Sequence, residues 1–300
     1  MKKQYLLHIV LIATILLLGS CGKFSKLQKD GTVEQKYDAA LAYYKKADYY
    51  HAGTLFEEIT PLLKGAEKAE MSQFYNAYCN YHQGLYNMSQ YLFKNFYDTF
   101  QRSEYAQEAY YMHAYSLYRD SPNFNLDQSS TLTAIAALQD FINTYPDSPF
   151  REEGTKLILE LRQKLERKAY EKVKLYYKTS EAQISNYRSA VVAINIFQKE
   201  FPDSKFNEEL AYLRVDSEYN LAVLSFREKQ KERFGEVGKY YLALVDKFPN
   251  SKYIVKVEKY YENSQKEVNK FVAEEQAEKE AKKQKQIQNA GKLSTPSTEN

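Results

Sequence analysis

The sequence predicts an all-α protein, built as a solenoid of five helical hairpins with a C-terminal capping helix. Three observations predict this fold. Small and apolar residues recur at helical spacing, helix-length segments alternate with short breaks, and the 300 residues include only 10 Gly and 7 Pro. So few glycines and prolines disfavour turn-rich all-β folds and glycine loops that bind phosphate.

Composition narrows the class of protein further. With 44% hydrophobic residues and a mean hydropathy of −0.65, the chain is not a multispan membrane protein. Its formal net charge of +3 falls to +1 once Lys2 and Lys3 are removed with the leader described next. We therefore expect no nucleic-acid partner, because a strongly basic field is absent.

The N-terminus is typical of a secretory signal peptide that ends in a lipobox. Lys2 and Lys3 precede an apolar run from Tyr5 to Leu18, which is followed by Gly19-Ser20-Cys21. A run of about 14 residues is too short to span a bilayer, which needs about 20. The leader resembles those of bacterial lipoproteins, whose cysteine sulfur takes a diacylglyceryl group. We expect residues 1–20 to be removed and Cys21 to be lipidated; the alternative is a plain signal peptide with an incidental cysteine.

The residues after Cys21 bear on the membrane that the anchor reaches. Gly22-Lys23-Phe24-Ser25-Lys26 contains no acidic residue. By resemblance to lipoprotein sorting rules, this argues against retention in the inner membrane and against export to the surface. The expected location is the outer membrane, lipid-anchored on its periplasmic face, with residues 21–32 as a short polar tether.

Five copies of a helical pattern follow, over residues 33–271. Each has a small residue, then an apolar residue four positions later and another three positions after that, so that all three lie on one helix face. The copies are Ala52/Phe56/Ile59, Ser89/Phe93/Phe96, Ala134/Leu138/Phe141, Ala190/Ile194/Phe197 and Val237/Tyr241/Leu244. Ala40 and Ala77 lie twelve residues before the first two copies, as close contact between paired helices requires. The pattern resembles the tetratricopeptide repeat, so the predicted solenoid is tetratricopeptide-like.

The breaks between repeats predict helix ends and starts. Tyr145-Pro146-Asp147-Ser148, Phe201-Pro202-Asp203-Ser204 and Phe248-Pro249-Asn250-Ser251 each place a proline that stops one helix and a serine that caps the next. Phe100-Gln101-Arg102-Ser103 is a degraded copy. We also predict a loop over 121–127, long helices over 152–177 and 207–228, and a charged helical tail over 272–300 that frays to disorder from Gly291.

No catalytic or metal-binding motif stands out. His51, His82 and His113 lack a metal-type partner at helical spacing, and there is no nucleophile elbow, Walker loop or dinucleotide fingerprint. Cys79 is interpreted as a packed core thiol. We expect no enzyme activity, no cofactor, no metal and no small-molecule substrate.

An aromatic stripe is the one candidate binding feature. It lies on the first helix of three successive repeats, at i, i+4 and i+7. Its members are Tyr37, Tyr44, Phe74, Tyr78, Tyr81, Tyr111, Tyr115 and Tyr118. In a tetratricopeptide register these positions face the concave groove, where tyrosine offers apolar area and a hydroxyl to an extended peptide. The alternative is that they form core, because Asn76 and Asn80 would otherwise point inward.

The order of lipid anchor, five repeats and long fourth-repeat helix resembles the BamD family, the lipoproteins of the outer-membrane β-barrel assembly machinery. The resemblance covers 32–271 and is closest from Glu153-Gly154-Thr155-Lys156 to Phe201-Pro202-Asp203-Ser204. It implies a non-enzymatic scaffold whose C-terminal repeats dock on the periplasmic modules of a BamA-like barrel subunit. It also implies that the N-terminal repeats receive terminal segments of unfolded barrel proteins. The 121–127 insertion and the charged tail depart from the family pattern.

Two other functions stay open at this point. The chain could be a different periplasmic tetratricopeptide lipoprotein that acts in cell-envelope or cell-wall assembly. It could also capture glycans, although it has no Trp, which is the best side chain for stacking on sugars.

Overall fold

The computed structural model describes residues 22–63 and 65–293, and in this part of the chain all regular structure is helical. The prediction of an all-α helical-hairpin solenoid is confirmed. The helices are α1 (22–30), α2 (Val33–Lys45), α3 (Tyr49–Ile59), a 3₁₀ turn (Thr60–Leu63), α4 (Lys68–His82), α5 (Tyr86–Thr99), α6 (Ala106–Asp120), α7 (Ser129–Thr144), α8 (Arg151–Thr179), α9 (Ser185–Glu200), α10 (Asn207–Val223), α11 (Arg227–Lys247) and α12 (Ile254–Leu293).

The helices form two compact units, with the division between Leu165 and Glu166 inside α8. In the first unit α2 packs on α3, α4 on α5 and α6 on α7, and neighbouring hairpins pack through α3 with α4 and α5 with α6. In the second unit α10 packs on both α9 and α11, and α11 packs on α12. Each unit has its own apolar core.

The predicted repeat pattern forms these cores. All fifteen residues of the five copies are buried, and so are Ala40 and Ala77. Burying an aromatic or large aliphatic side chain contributes about 1.5–3 kcal/mol, so the repeated triplets are a main source of stability. The small residues at the first position leave room for the partner helix to approach.

The serines of the breaks are not the N-caps of the next helices that the sequence predicts, because two further residues separate each serine from the first residue of the helix; the N-cap of α10, for example, is Phe206. The Ser148, Ser204 and Ser251 hydroxyls accept hydrogen bonds from the backbone N–H two residues ahead, at 3.1–3.2 Å. Ser103, in the degraded copy, does the same to Tyr105 at 3.0 Å. These bonds satisfy N–H groups that a helix start leaves without a partner.

Two local predictions need correction. The predicted tether contains helix α1, because Phe24 and Leu27 are one helical turn apart and pack on the core of the first hairpin. The helix predicted over 207–228 ends at Val223, and α11 begins at Arg227. Ser225 donates a hydrogen bond to the Leu221 carbonyl and accepts one from Arg233, so side chains stabilise this break without proline or glycine.

Other predicted boundaries agree with the structure. The loop predicted over 121–127 lies between α6 and α7, and α8 extends the predicted long helix by one residue at its start and two at its end. The charged tail is helical to Leu293, and its side chains from Ala273 to Ile287 are exposed. Residues 1–21 and 294–300 lie outside the described residues, so the predictions for the signal peptide, Cys21 and the end of the tail are not tested there.

Candidate peptide-binding site

Three helices of the first unit carry the aromatic stripe. The stripe residues of α2, α4 and α6 flank Ala40, Ala77 and Ala114, which are fully buried against neighbouring helices. Since α2, α4 and α6 are the first helices of successive hairpins, the structure brings the stripe into one unit. It divides the eight residues into two groups by burial.

The first aromatic residue on each helix is a core residue. Tyr37 packs edge-to-face on Phe56, with ring centroids 6.1 Å apart, and Phe74 packs on Phe96 at 5.2 Å. Tyr111 stacks on Phe150 at 4.4 Å. All three stripe residues are buried, so for them the core interpretation is the one that the geometry supports.

The other five residues are partly exposed, and we call them the tyrosine shelf: Tyr44, Tyr78, Tyr81, Tyr115 and Tyr118. Three of these rings form a series, with Tyr81 6.0 Å from Tyr115 and Tyr115 5.7 Å from Tyr118. Tyr44 and Tyr78 instead contact rings outside the shelf. Each of the five tyrosines thus contacts at least one other ring and is also partly exposed. Such a surface can bury apolar side chains of a ligand while its hydroxyls bond to a peptide backbone.

Carboxylates from the next hairpin orient two shelf hydroxyls. Tyr78 donates a hydrogen bond to Glu108, and Tyr118 donates one to Glu160 at 2.7 Å. The bond to Glu160, together with partial burial, raises the pKa of Tyr118 to about 12, and burial chiefly raises the pKa of Tyr78. These phenols therefore stay protonated near neutral pH and keep a proton to donate to Glu108 and Glu160.

Arg119 is a functional candidate that no sequence motif predicts. Its guanidinium donates hydrogen bonds to the Tyr81 hydroxyl at 3.0 Å and to the Tyr86 hydroxyl at 2.6 Å. It also lies over the Tyr86 ring, 4.8 Å from the centroid. The side chain is exposed. An arginine has five N–H donors, so some remain available to a carboxylate or carbonyl oxygen of a ligand.

The sequence signal for Arg119 is weak. A basic residue in the last turn of a helix is common, because it complements the helix dipole. Nothing in the sequence shows that Tyr86, which opens α5, comes within hydrogen-bond distance of it. Only the packing of α6 against α5 makes this pair part of the shelf.

The remaining candidate residues lie elsewhere. Cys79 is buried in the first hairpin core, and burial raises the pKa of its thiol to about 12. His113 is mostly buried and its ring contacts the Gln90 carbonyl at 2.8 Å. In the described part of the chain, no group of three or more His, Cys, Asp or Glu side chains is arranged to hold a metal ion.

Comparison with known proteins identifies the family. Residues 29–185 match the YfiO family, which is described as an outer membrane lipoprotein. This range is slightly more than half of the chain. The chain belongs to the YfiO family.

The family match extends from the end of α1 to the first residue of α9, so all eight stripe residues and Arg119 lie within the YfiO region. Helices α10 to α12 lie beyond it. No curated protein matches the chain. Across residues 22–63 and 65–293, no helix combines the length and the apolar character that crossing a bilayer requires.

Proposed function

We propose that this YfiO-family lipoprotein is a BamD-like scaffold of the outer-membrane β-barrel assembly machinery. It assists the folding and insertion of barrel proteins through protein-protein contacts and has no enzyme activity. In this proposal Cys21 carries the lipid and the chain faces the periplasm. Its C-terminal repeats dock on the periplasmic modules of a BamA-like barrel subunit.

The second part of the proposal concerns the tyrosine shelf and Arg119. We propose that it receives extended segments of unfolded outer-membrane proteins. Barrel strands alternate apolar and polar residues, so an extended segment offers one apolar row to the rings and its backbone to the hydroxyls. The family description supports the membrane and the lipid anchor.

Peptide binding tests the shelf directly. Tyr81→Ser and Tyr118→Ser, made together, are expected to weaken binding of an aromatic-ended barrel segment at least about tenfold, because each ring offers stacking and a hydroxyl. Fluorescence anisotropy with a labelled peptide measures the affinity, and the melting temperature is recorded in parallel. Tyr91→Ser is the matched control, since Tyr91 is an exposed tyrosine of α5 outside the shelf.

The outcomes are distinct. Weaker binding with an unchanged melting temperature supports the shelf. A large drop in melting temperature assigns these tyrosines to the core and overturns the binding role. Equal affinities for the double variant and the Tyr91 control also overturn it.

Co-purification from detergent-solubilised membranes tests the place in the machinery. We expect a BamA-like barrel protein to be recovered, and depletion of the lipoprotein to lower the level of folded porins. Recovery of peptidoglycan enzymes without a barrel protein would favour the alternative, a lipoprotein of cell-wall assembly. Incorporation of labelled palmitate, and its loss in Cys21→Ala, tests the anchor.

A further inference from the structure

Helix α1 begins at the end of the first unit where the chain turns from α2 to α3. In α1 the Phe24 ring is 4.2 Å from the His51 ring and 5.8 Å from the Tyr43 ring. Tyr43 is near the end of α2, and His51 is near the start of α3. Phe24, the third residue after Cys21, is therefore packed beside the turn between α2 and α3.

The next two hairpins place their turns at the same end. Tyr49 stacks on His82 at 4.2 Å, and Gln83 donates a hydrogen bond to the Tyr49 carbonyl at 3.1 Å, so the α4–α5 turn adjoins the α2–α3 turn. Arg119, at the end of α6, bonds to Tyr86 at the start of α5. We call this surface, made by the three turns and the start of α1, the anchor end.

Large apolar side chains are exposed at the anchor end, in the turns and in the first turn of the helix that follows each of them. The exposed fractions are 65% for Tyr50, 52% for Leu85, 52% for Met88 and 56% for Leu126. At the opposite end of the unit, in the turns 60–63, 65–67, 100–105 and 145–150, Leu62 is the one described large hydrophobic residue that is exposed. The two ends of one unit thus differ in apolar exposure.

Lysines accompany these side chains. Lys23 in α1 and Lys45 and Lys46 at the end of α2 are exposed. None of the three forms an ion pair with a described residue, and the carboxylate of nearby Asp48 is hydrogen-bonded to the His51 ring at 2.8 Å. Exposed tyrosine and aliphatic side chains beside lysine ammonium groups match the boundary of a bilayer, where apolar groups enter the acyl region and cations meet phosphates.

We infer that the anchor end lies on the surface of the bilayer that holds the lipid anchor. The inference rests on the proposed lipidation of Cys21, which directly precedes the described chain. A fully extended residue spans at most about 3.6 Å, so one or two residues leave little distance between the acyl chains and α1. The occupant of the surface is a phospholipid layer with anionic headgroups, and the first hairpin is held against it.

A single tryptophan probe tests this orientation, because the chain contains no Trp. The lipidated full-length protein carries Tyr50→Trp and is reconstituted in vesicles of phosphatidylethanolamine and phosphatidylglycerol. Leu62→Trp is the matched control, since Leu62 is about equally exposed and follows the opposite end of the same helix α3. Brominated phospholipids quench fluorescence on contact.

We expect strong quenching and a blue shift for the probe at position 50, and neither for the probe at position 62. Adding Lys45→Glu and Lys46→Glu is expected to reduce the quenching at position 50 at least twofold. Equal quenching at both positions overturns the orientation. If the two lysine substitutions leave the quenching at position 50 unaltered, the anionic headgroups do not contribute to binding this surface.

A mass measurement separates this inference from the proposed function. If the mature chain lacks the acyl mass, the proposed lipid anchor itself is wrong. If the acyl mass is present and position 50 is not quenched, the anchor stands and only the orientation is wrong.

Discussion

Tyr177 donates a hydrogen bond from its hydroxyl to the buried carboxylate of Asp216, 2.8 Å away, and so joins α8 to α10. Similar bonds join Tyr170 to Glu209 and Tyr110 to Asp140. The Tyr177 and Tyr170 bonds each link a tyrosine on one hairpin to a carboxylate on the next, and the Tyr110 bond joins the two helices of a single hairpin. The register between neighbouring hairpins thus depends on directional bonds as well as on apolar packing.

Removing one such donor should destabilise the second unit. Tyr177→Phe keeps the ring but leaves Asp216 with one donor fewer, so we expect a loss of about 1–3 kcal/mol in the free energy of unfolding. Urea denaturation measures it. Tyr176→Phe, at a half-buried neighbour whose hydroxyl has no hydrogen bond to described residues, should change it by less than about 0.5 kcal/mol. Equal effects of the two substitutions would contradict the role of the Asp216 bond.

A buried serine pair in the first unit should behave non-additively. The hydroxyls of Ser89 and Ser116 are 3.1 Å apart, and both residues are fully buried. Ser89→Ala alone should lower the free energy of unfolding by about 1–2 kcal/mol, because it leaves the Ser116 hydroxyl without this partner. The double variant, which also carries Ser116→Ala, should have a free energy of unfolding close to that of the wild type. A double-mutant cycle by urea denaturation checks this, and additive losses would show that the pair is not coupled.

Glu218 should make the stability of the second unit depend on pH. Burial raises its pKa from 4.5 to about 7, against the attraction of Arg233 and Arg188 and with repulsion from Glu232 and Glu236. The folded state therefore holds the proton more tightly than the unfolded state. This contribution to stability is fully present below pH 4.5 and is lost as the pH rises through 7.

Glu218→Gln removes the titrating group and keeps its shape. We expect it to raise the free energy of unfolding at pH 8 by about 1–3 kcal/mol relative to the wild type, and to change it little at pH 4. Urea titrations at both pH values measure this difference. Glu181→Gln, at an exposed loop position, is the control. A variant that gains nothing at pH 8 would show that burial does not raise the pKa of Glu218.

Arg119 should give the tyrosine shelf a preference for a free carboxylate. Its guanidinium is held by Tyr81 and Tyr86, so a terminal carboxylate meets an oriented donor. Arg119→Gln is expected to weaken the binding of a peptide with a free C-terminus about tenfold. The binding of the same peptide with an amidated C-terminus should weaken much less. Arg102→Gln, at an exposed arginine of the α5–α6 turn, is the control. An unchanged ratio between the two peptides would exclude this role for Arg119.

Most of the fold could be predicted from the sequence, because helical periodicity depends on local spacing. Ala52, Phe56 and Ile59 and the other four triplets lie on buried faces as predicted, and α7, α9 and α11 end directly before the Pro-containing breaks. The serines of these breaks are not the N-caps of the next helices, because the turn after proline adds two residues before each helix starts. The break at Leu224 to Phe226 could not be predicted in this way. It has no Pro or Gly, and bonds from Arg233 to Ser225 and to the Leu221 carbonyl stabilise it only after α11 has packed.

The candidate site could be predicted only in part. The spacing of Tyr37, Tyr44 and their counterparts predicts one face on each of three helices, but spacing alone does not separate core from shelf. On α2, for example, Tyr37 is buried, whereas Tyr44, about two helical turns later on the same face, is partly exposed. Arg119 acquires its role from Tyr86 on the neighbouring helix, and such a contact between helices leaves no local trace in the sequence.

Buried Cys79 has a practical consequence. It is the one cysteine among the described residues, and its thiol is fully enclosed and kept neutral by its high pKa. With Cys21 acylated as proposed, maleimide dyes and spin labels would find no reactive sulfur on the native surface. A cysteine introduced at any exposed position can therefore be labelled selectively in an otherwise unaltered chain.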